Sequence, residues 1–213
     1  MKMKPMIITG ALTLGLFACN NASQNKANNA NTETAKSEVV GITPVSYSID
    51  TDKSLVHWKG SMLGVYSHEG TLIFTNGSLS VKGELVIAGD FTVDMNSMVS
   101  TDSDELYKMA PREKLIGHLK SDDFFGTEKF PAAEFKIKGA DGNIIKGDLT
   151  IKGVTHEESI TSVKLTETDG SVTVTGSLVF DRQRYDIAYK NTMNDMVLSD
   201  DIELDVSITG ISD

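Results

Sequence analysis

Apolar alternation with a period of two constrains this chain more than any other feature. Over residues 202–208, Ile202, Leu204, Val206 and Ile208 alternate with Glu203, Asp205 and Ser207. Over 172–180, Val172, Val174, Leu178 and Phe180 stand against Thr173, Thr175 and Ser177, and over 54–60, Val56 and Trp58 stand against Leu55, His57 and Lys59. Residues 85–95 read as Leu85, Ile87, Phe91, Val93 and Met95 on one face, with Val86, Asp90, Thr92 and Asp94 on the other. Successive side chains of a strand point to opposite faces, so these stretches predict antiparallel strands with one dry and one wet face.

Residues 70–75, 78–82, 133–138, 144–152 and 159–166 are further strand candidates. Asn76-Gly77, Asp141-Gly142-Asn143 and Asp169-Gly170 separate them, and Asn-Gly and Asp-Gly pairs are strong hairpin cues. About eight or nine strands with almost no helix define an all-β chain, a barrel or a sandwich. The alternation stops between Met95 and Phe135, where residues 105–108 and 112–120 are expected as short helices. Leu115 and Leu119 lie one turn apart there, and Pro111 suits a helix start. Interruptions of this length are often functional lids or loops.

The first 44 residues follow other rules. Lys2 and Lys4 precede an apolar run from Met6 to Ala18, 13 residues long and too short for the roughly 20 that span a bilayer as a helix. Residues 1–18 are read as a signal peptide. Leu16-Phe17-Ala18-Cys19 resembles a bacterial lipobox, which makes Cys19 the expected lipidation site and attaches the mature chain to a membrane without crossing it. Six of the twelve residues from Asn20 to Asn31 are Asn, a composition with too little apolar area to offset its ordering entropy. Residues 19–44 are therefore the anchored Cys and a flexible tether, and 45–213 are one folded domain. The expected location is the cell envelope, on the periplasmic side of a membrane.

Net charge narrows the partners. The chain carries −10, and removal of residues 1–18 takes it to −12. Nucleic acid is not an expected partner, because affinity for phosphates needs clustered Lys and Arg. Cys19 is the only cysteine, so the domain has neither a disulfide framework nor a thiolate metal site.

No catalytic motif stands out: there is no G-x-S-x-G elbow, no H-E-x-x-H pair and no phosphate-cradling glycine loop. His118, Asp122 and Asp123 are close enough in sequence for a weak cation site, but a solvent-facing helix cap explains them more simply. His57 and His68 would have to meet across a barrel. Asp181, Arg182, Arg184 and Asp186 read as an ion-paired strand end, with lipid-headgroup contact as the other reading. No metal and no catalytic residue is assigned. In an eight-stranded barrel the interior is either filled or holds one small ligand, and Gly70, Gly89, Gly147 and Gly176 are expected to trim the packing and leave room.

Two motifs carry a family resemblance. Gly117-His118-Leu119-Lys120-Ser121-Asp122-Asp123-Phe124-Phe125 and Lys129-Phe130-Pro131-Ala132-Ala133-Glu134-Phe135 resemble the central signature of the YceI-like lipid and polyisoprenoid-binding family. Further matches are Tyr47-Ser48-Ile49-Asp50, Val56-His57-Trp58, Phe91-Thr92-Val93-Asp94-Met95, Gly147-Asp148-Leu149-Thr150 and Phe180-Asp181-Arg182, in order along residues 45–210. The resemblance implies a lipocalin-like antiparallel eight-stranded barrel with a short helical insertion. It also implies non-catalytic binding of a long apolar lipid, a polyisoprenoid or quinone-type tail, for storage, shielding or transport, with no cofactor other than that ligand. The segment around His118 would be a cover at the barrel end.

Val56, Trp58, Leu72, Phe74, Phe91, Val93, Met95, Phe135, Leu149, Ile151, Leu178, Phe180, Leu204 and Val206 are the expected cavity lining or inner core, which sequence alone does not separate. Burial of each isoprene unit is worth roughly 3–4 kcal/mol gross, before ordering and association losses. The competing readings are a solid-core interaction or stress-response domain, and a weak metal-dependent enzyme built on His57, His68 or His118. Homodimerisation through a strand edge requires an incompletely closed barrel.

Overall fold

The computed structural model describes residues 42–63, 65–168, 170–189 and 197–212. The expected signal peptide, Cys19 and the tether up to residue 41 lie outside them. The elements are β1 Val45–Ile49, β2 Leu55–Met62, β3 Tyr66–Lys82, β4 Leu85–Ser100, α1 Arg112–Lys120, β5 Ala132–Asp141, β6 Ile144–Ile151, β7 Val154–Thr168, β8 Ser171–Asp181 and β9 Leu198–Ser212.

All neighbouring strands pair antiparallel. β1 and β2 follow one another along the same two neighbours, β3 and β9, and so form one broken stave. With β2 joined to β9 and β3 to β4, the sheet closes on itself as a barrel of eight staves. The break lies at residues 50–54, where the buried Ser54 hydroxyl donates to the Asp50 carbonyl at 2.7 Å and accepts from the Thr209 amide at 3.0 Å. The β4–β5 seam is short, running only from Asp90 opposite Lys136 to Asp94 opposite Ala132.

The helical expectation over 112–120 coincides with α1, which begins after Pro111 in an extended conformation (φ −65°, ψ 150°). Asp141-Gly142 turns between β5 and β6, with Gly142 at φ +57°. Asn76-Gly77, expected as a hairpin, instead lies inside β3, just past a bulge at Thr75. The bulge switches the inward set from Leu72 and Phe74 to Leu79 and Val81. Gly77 is needed where the chain passes beneath a ring, since a Cβ there would come within 2.8 Å of Phe91. A second bulge, at Ile87, overturns the face assigned to the start of β4: Val86 is buried and Leu85 is exposed. One extra residue flips every later side chain, which no strict period-two reading can follow.

The interior is not uniform. Tyr47, Leu79, Val81, Val86, Ile145 and Val172 fill one part of the barrel, all at most 8% exposed, and the space left among the side chains there is about 20 Å³. The remainder is hollow.

Candidate functional site

The hollow part is a cavity of about 290 Å³, near the lower end of the range of roughly 300–1,000 Å³ usual for small-molecule sites. All fourteen residues predicted for the lining or inner core border it. They come from β2, β3, β4, β5, β6, β8 and β9, because the inward face of each stave repeats every second residue. Phe91 and Val206 also border the small gap in the filled part, so they stand at the floor of the cavity.

The four glycines expected to open this space do not do so. A Cβ on Gly70 would run into the Val99 carbonyl and sit 2.6 Å from the Trp58 ring, and one on Gly147 would sit 2.6 Å from Phe135. A Cβ on Gly89 would sit 2.9 Å from Phe91, and one on Gly176 2.5 Å from Ile160. The missing side chains make room for neighbouring rings and branched chains, which occupy it.

Period-two reasoning missed the side of the cavity that is not sheet. Leu115, His118 and Leu119 of α1, Phe124 and Phe125 after it, and Tyr189 before β9 close over the barrel interior. His118 meets Phe124 and Tyr189 edge to face at 5.2 and 4.6 Å between ring centroids. The Leu115/Leu119 spacing was the available signal for this cover. Polar bonds tie it down: Lys120 donates to the Asn96 carbonyl at 2.6 Å, the buried Thr127 hydroxyl to the Asn96 side chain at 2.8 Å, and Lys152 to the Asp122 and Asp186 carbonyls at 3.1 and 3.0 Å.

The candidate chemistry of the histidines and acids resolves differently. His57 faces outward, 3.8 Å from Glu69, whereas His68 faces the cavity, so the two do not meet. Asp122 is paired with Lys129 at 2.6 Å. Among the described residues no group of three His, Cys, Asp or Glu side chains is placed to hold a metal ion. The charge run after β8 is an ion-paired corner. Arg182, 3% exposed, donates to the Ser199 and Ile187 carbonyls and to Asp200, while Arg184 pairs with Glu158 at 2.6 Å. Asp181 caps the 3-10 turn Arg182–Tyr185 through the Gln183 amide. Burial and the hydrogen bond to Glu158 push the Tyr185 phenol well above its ordinary value.

The cavity wall is almost wholly apolar. Its charged or titratable members among the described residues are His68, His118, Glu134 and the phenols of Tyr66 and Tyr189; none is Lys or Arg. Two wall residues carry buried nitrogens that no described residue satisfies, Nε1 of Trp58 and Nε2 of His118, and buried polar groups rarely go unpaired in proteins. Tyr66, 38% exposed, and Glu134, also exposed, border the cavity as well.

Around His68 on the cavity wall lies a cluster that sequence reading did not assemble. The Asp102 carboxylate, its side chain 1% exposed, accepts from His68 Nδ1 at 2.6 Å, Ser100 Oγ at 3.0 Å, the Glu69 amide at 2.7 Å and the Tyr107 hydroxyl. Burial alone would push this carboxyl up; the bonds from Tyr107, His68, Glu69 and Ser100 outweigh it and hold the group below its ordinary value. Arg112 locks the cluster to α1, donating to the Ser100 carbonyl and hydroxyl, the Asp102 carbonyl and Asp104, with its guanidinium 4.3 Å from the Tyr107 ring centroid.

A closed antiparallel barrel around an apolar, helix-covered cavity defines a lipocalin-like class of barrel. Residues 47–210 match the model of the YceI-like domain, and the chain belongs to that family. UPF0312 proteins of Staphylococcus aureus strains bovine RF122 and N315 are 36% and 37% identical over 100 residues, 42% of this chain and 57% of theirs. The matched stretch thus spans little more than half the length of these relatives. BcnA of Burkholderia cenocepacia shares the fold at a TM-score of 0.62, with 19% identity over 76% of this chain and 98% of its own. A polyisoprenoid-binding domain of Saccharophagus degradans, described as implicated in plant cell wall breakdown, shares it at 0.55, with 14% identity over 79% and 99%.

Proposed function

We propose that this protein is a non-catalytic carrier that holds the apolar tail of an isoprenoid or quinone-type lipid inside the barrel. The observation that carries the reading is the cavity itself, an almost wholly apolar space in a barrel whose other part is packed solid. A folded chain does not keep such a space for stability, since an empty apolar cavity costs about 24 cal/mol per Å³ in measured core truncations. A lipid tail restores the lost contacts and needs few polar partners. The likeness in fold to a polyisoprenoid-binding domain agrees with this.

In the same reading, residues 1–18 direct export, Cys19 is acylated, and the 19–44 tether lets the barrel work beside the membrane that supplies or receives the lipid. Two measurements test it. The full chain carrying Cys19→Ser, purified without detergent from a bacterial host, should release a stoichiometric long-chain isoprenoid into an organic extract read by mass spectrometry. An empty extract, together with no uptake of added prenols or quinones, overturns the carrier reading in favour of an interaction domain. Separately, the unaltered chain should sediment with membranes and the Cys19→Ser chain should not; equal partition of both rejects the anchor.

A further inference from the structure

We propose that His68, oriented by Asp102, is the docking point for the hydroxyl of a neutral isoprenoid alcohol or phenol held tail-inward in the cavity. The inference rests on the carrier reading and adds the chemistry of the ligand's head.

Three features converge on His68. It stands on the cavity wall two residues from Tyr66, and with Tyr66 38% exposed and its own side chain 20% exposed this is a stretch of wall where a polar head can stay hydrated. Its ring is fixed by edge contact with Tyr66 at 5.0 Å, stacking on Tyr107 at 5.6 Å and the 2.6 Å bond from Nδ1 to Asp102. An ionised carboxylate only accepts, so Nδ1 carries the proton and the lone pair of the neutral ring sits on Nε2. Among the described residues nothing occupies Nε2. The residue paired with His68 across the strands is Gly60, which also borders the cavity and puts no side chain in front of the ring.

An acceptor nitrogen in this position selects a ligand that donates. A hydroxyl is the simplest neutral head that donates to it. A phosphate head fits poorly: no described wall residue is Lys or Arg, and Glu134 adds a carboxylate to the wall. Arg112, the nearest guanidinium in the cluster, is already spent on four acceptors and the Tyr107 ring.

Trp58 is the single tryptophan of the chain and borders the cavity, so its emission reports occupancy. The detergent-free Cys19→Ser protein is titrated with farnesol, farnesyl methyl ether and farnesyl phosphate, which share a tail and differ in the head. Farnesol should bind roughly five- to tenfold tighter than the ether, the worth of one net hydrogen bond, and no weaker than the phosphate. His68→Phe keeps the ring stacking and removes Nε2; in it farnesol and the ether should bind alike. Equal binding of farnesol and ether by the protein with His68 intact overturns the proposal without need of any variant. So does a preference for farnesol that survives in His68→Phe, or tightest binding of the phosphate. Failure of all three ligands to bind overturns the carrier reading as well.

Discussion

Asp102 is a carboxylate that folding makes more acidic, and this fixes the direction of its effect on stability. A carboxyl whose folded pKa lies below its unfolded value of 3.8 contributes stability above that value and loses it as pH falls through the lower, folded one. Thermal unfolding followed from pH 6 down to pH 2 should therefore steepen its decline below about pH 4. Asp102→Asn should flatten that segment and, because His68 and Tyr107 lose their acceptor, lower stability at pH 7 by about 1–3 kcal/mol. An unchanged acid limb in the variant would mean that other carboxylates govern acid unfolding. The glycines permit an equally local test. Gly147→Ala would put a Cβ 2.6 Å from the Lys136 carbonyl and the Phe135 ring, whereas Gly139→Ala on the neighbouring β5 meets nothing within 4 Å. Urea unfolding should show the first weakened by about 1–3 kcal/mol and the second within about 0.5 kcal/mol of the parent. Comparable losses in both would show that backbone freedom, and not close approach, sets their role.

Between the staves and the cover the balance of forces differs, and hydrogen exchange should register it. Each stave is bonded on both sides, while Arg112–Lys120 and the turn after it hold through Lys120, Thr127, Lys152, Arg112 and a few rings. The amides of α1 should exchange faster than those of β8 or β9, and Phe124→Ala should accelerate them further without touching the sheet. Acceleration spread evenly through the barrel would show that cover and sheet unfold as one unit. The same division explains what was legible beforehand. Strands such as 172–180 and 202–208 announce themselves, since one face is wet and the other dry along their whole length. β3 and β4 were misread at Asn76-Gly77 and at Val86 because each carries a bulge, and a bulge is set by the partner strand more than by its own residues. The β7 segment before Ser159 was missed because Thr155, Glu157 and Glu158 are polar; pairing with β6 carries the strand back to Val154. The His68–Asp102–Tyr107 cluster joins residues 34 and 39 positions apart, a juxtaposition set at the far end of the long β3–β4 hairpin, where Gly70 pairs with Ser100.

Taken as one object, the barrel is half plug and half vessel, and its response to ligands should show both. The inward residues of the two halves are chemically alike, Val81 and Val172 in the plug and Val56 and Leu204 on the cavity wall, so no residue type marks where packing ends. Only the finite floor near Phe91 and Val206 limits how much tail can enter. A ligand that binds the folded state alone raises stability by about 2.7 kcal/mol at one hundred times its Kd, a rise in Tm of roughly 5–10 °C for a domain of this size. In a series of prenols lengthened by one isoprene unit at a time, Tm at fixed ligand concentration should climb steeply at first, because each unit buried adds roughly 3–4 kcal/mol gross. It should level off once the 290 Å³ are filled and further units remain in water. A Tm that keeps rising across long tails would show that the cover or the plug gives way to admit them, and a Tm indifferent to all of them would remove the ground for calling the hollow a binding site.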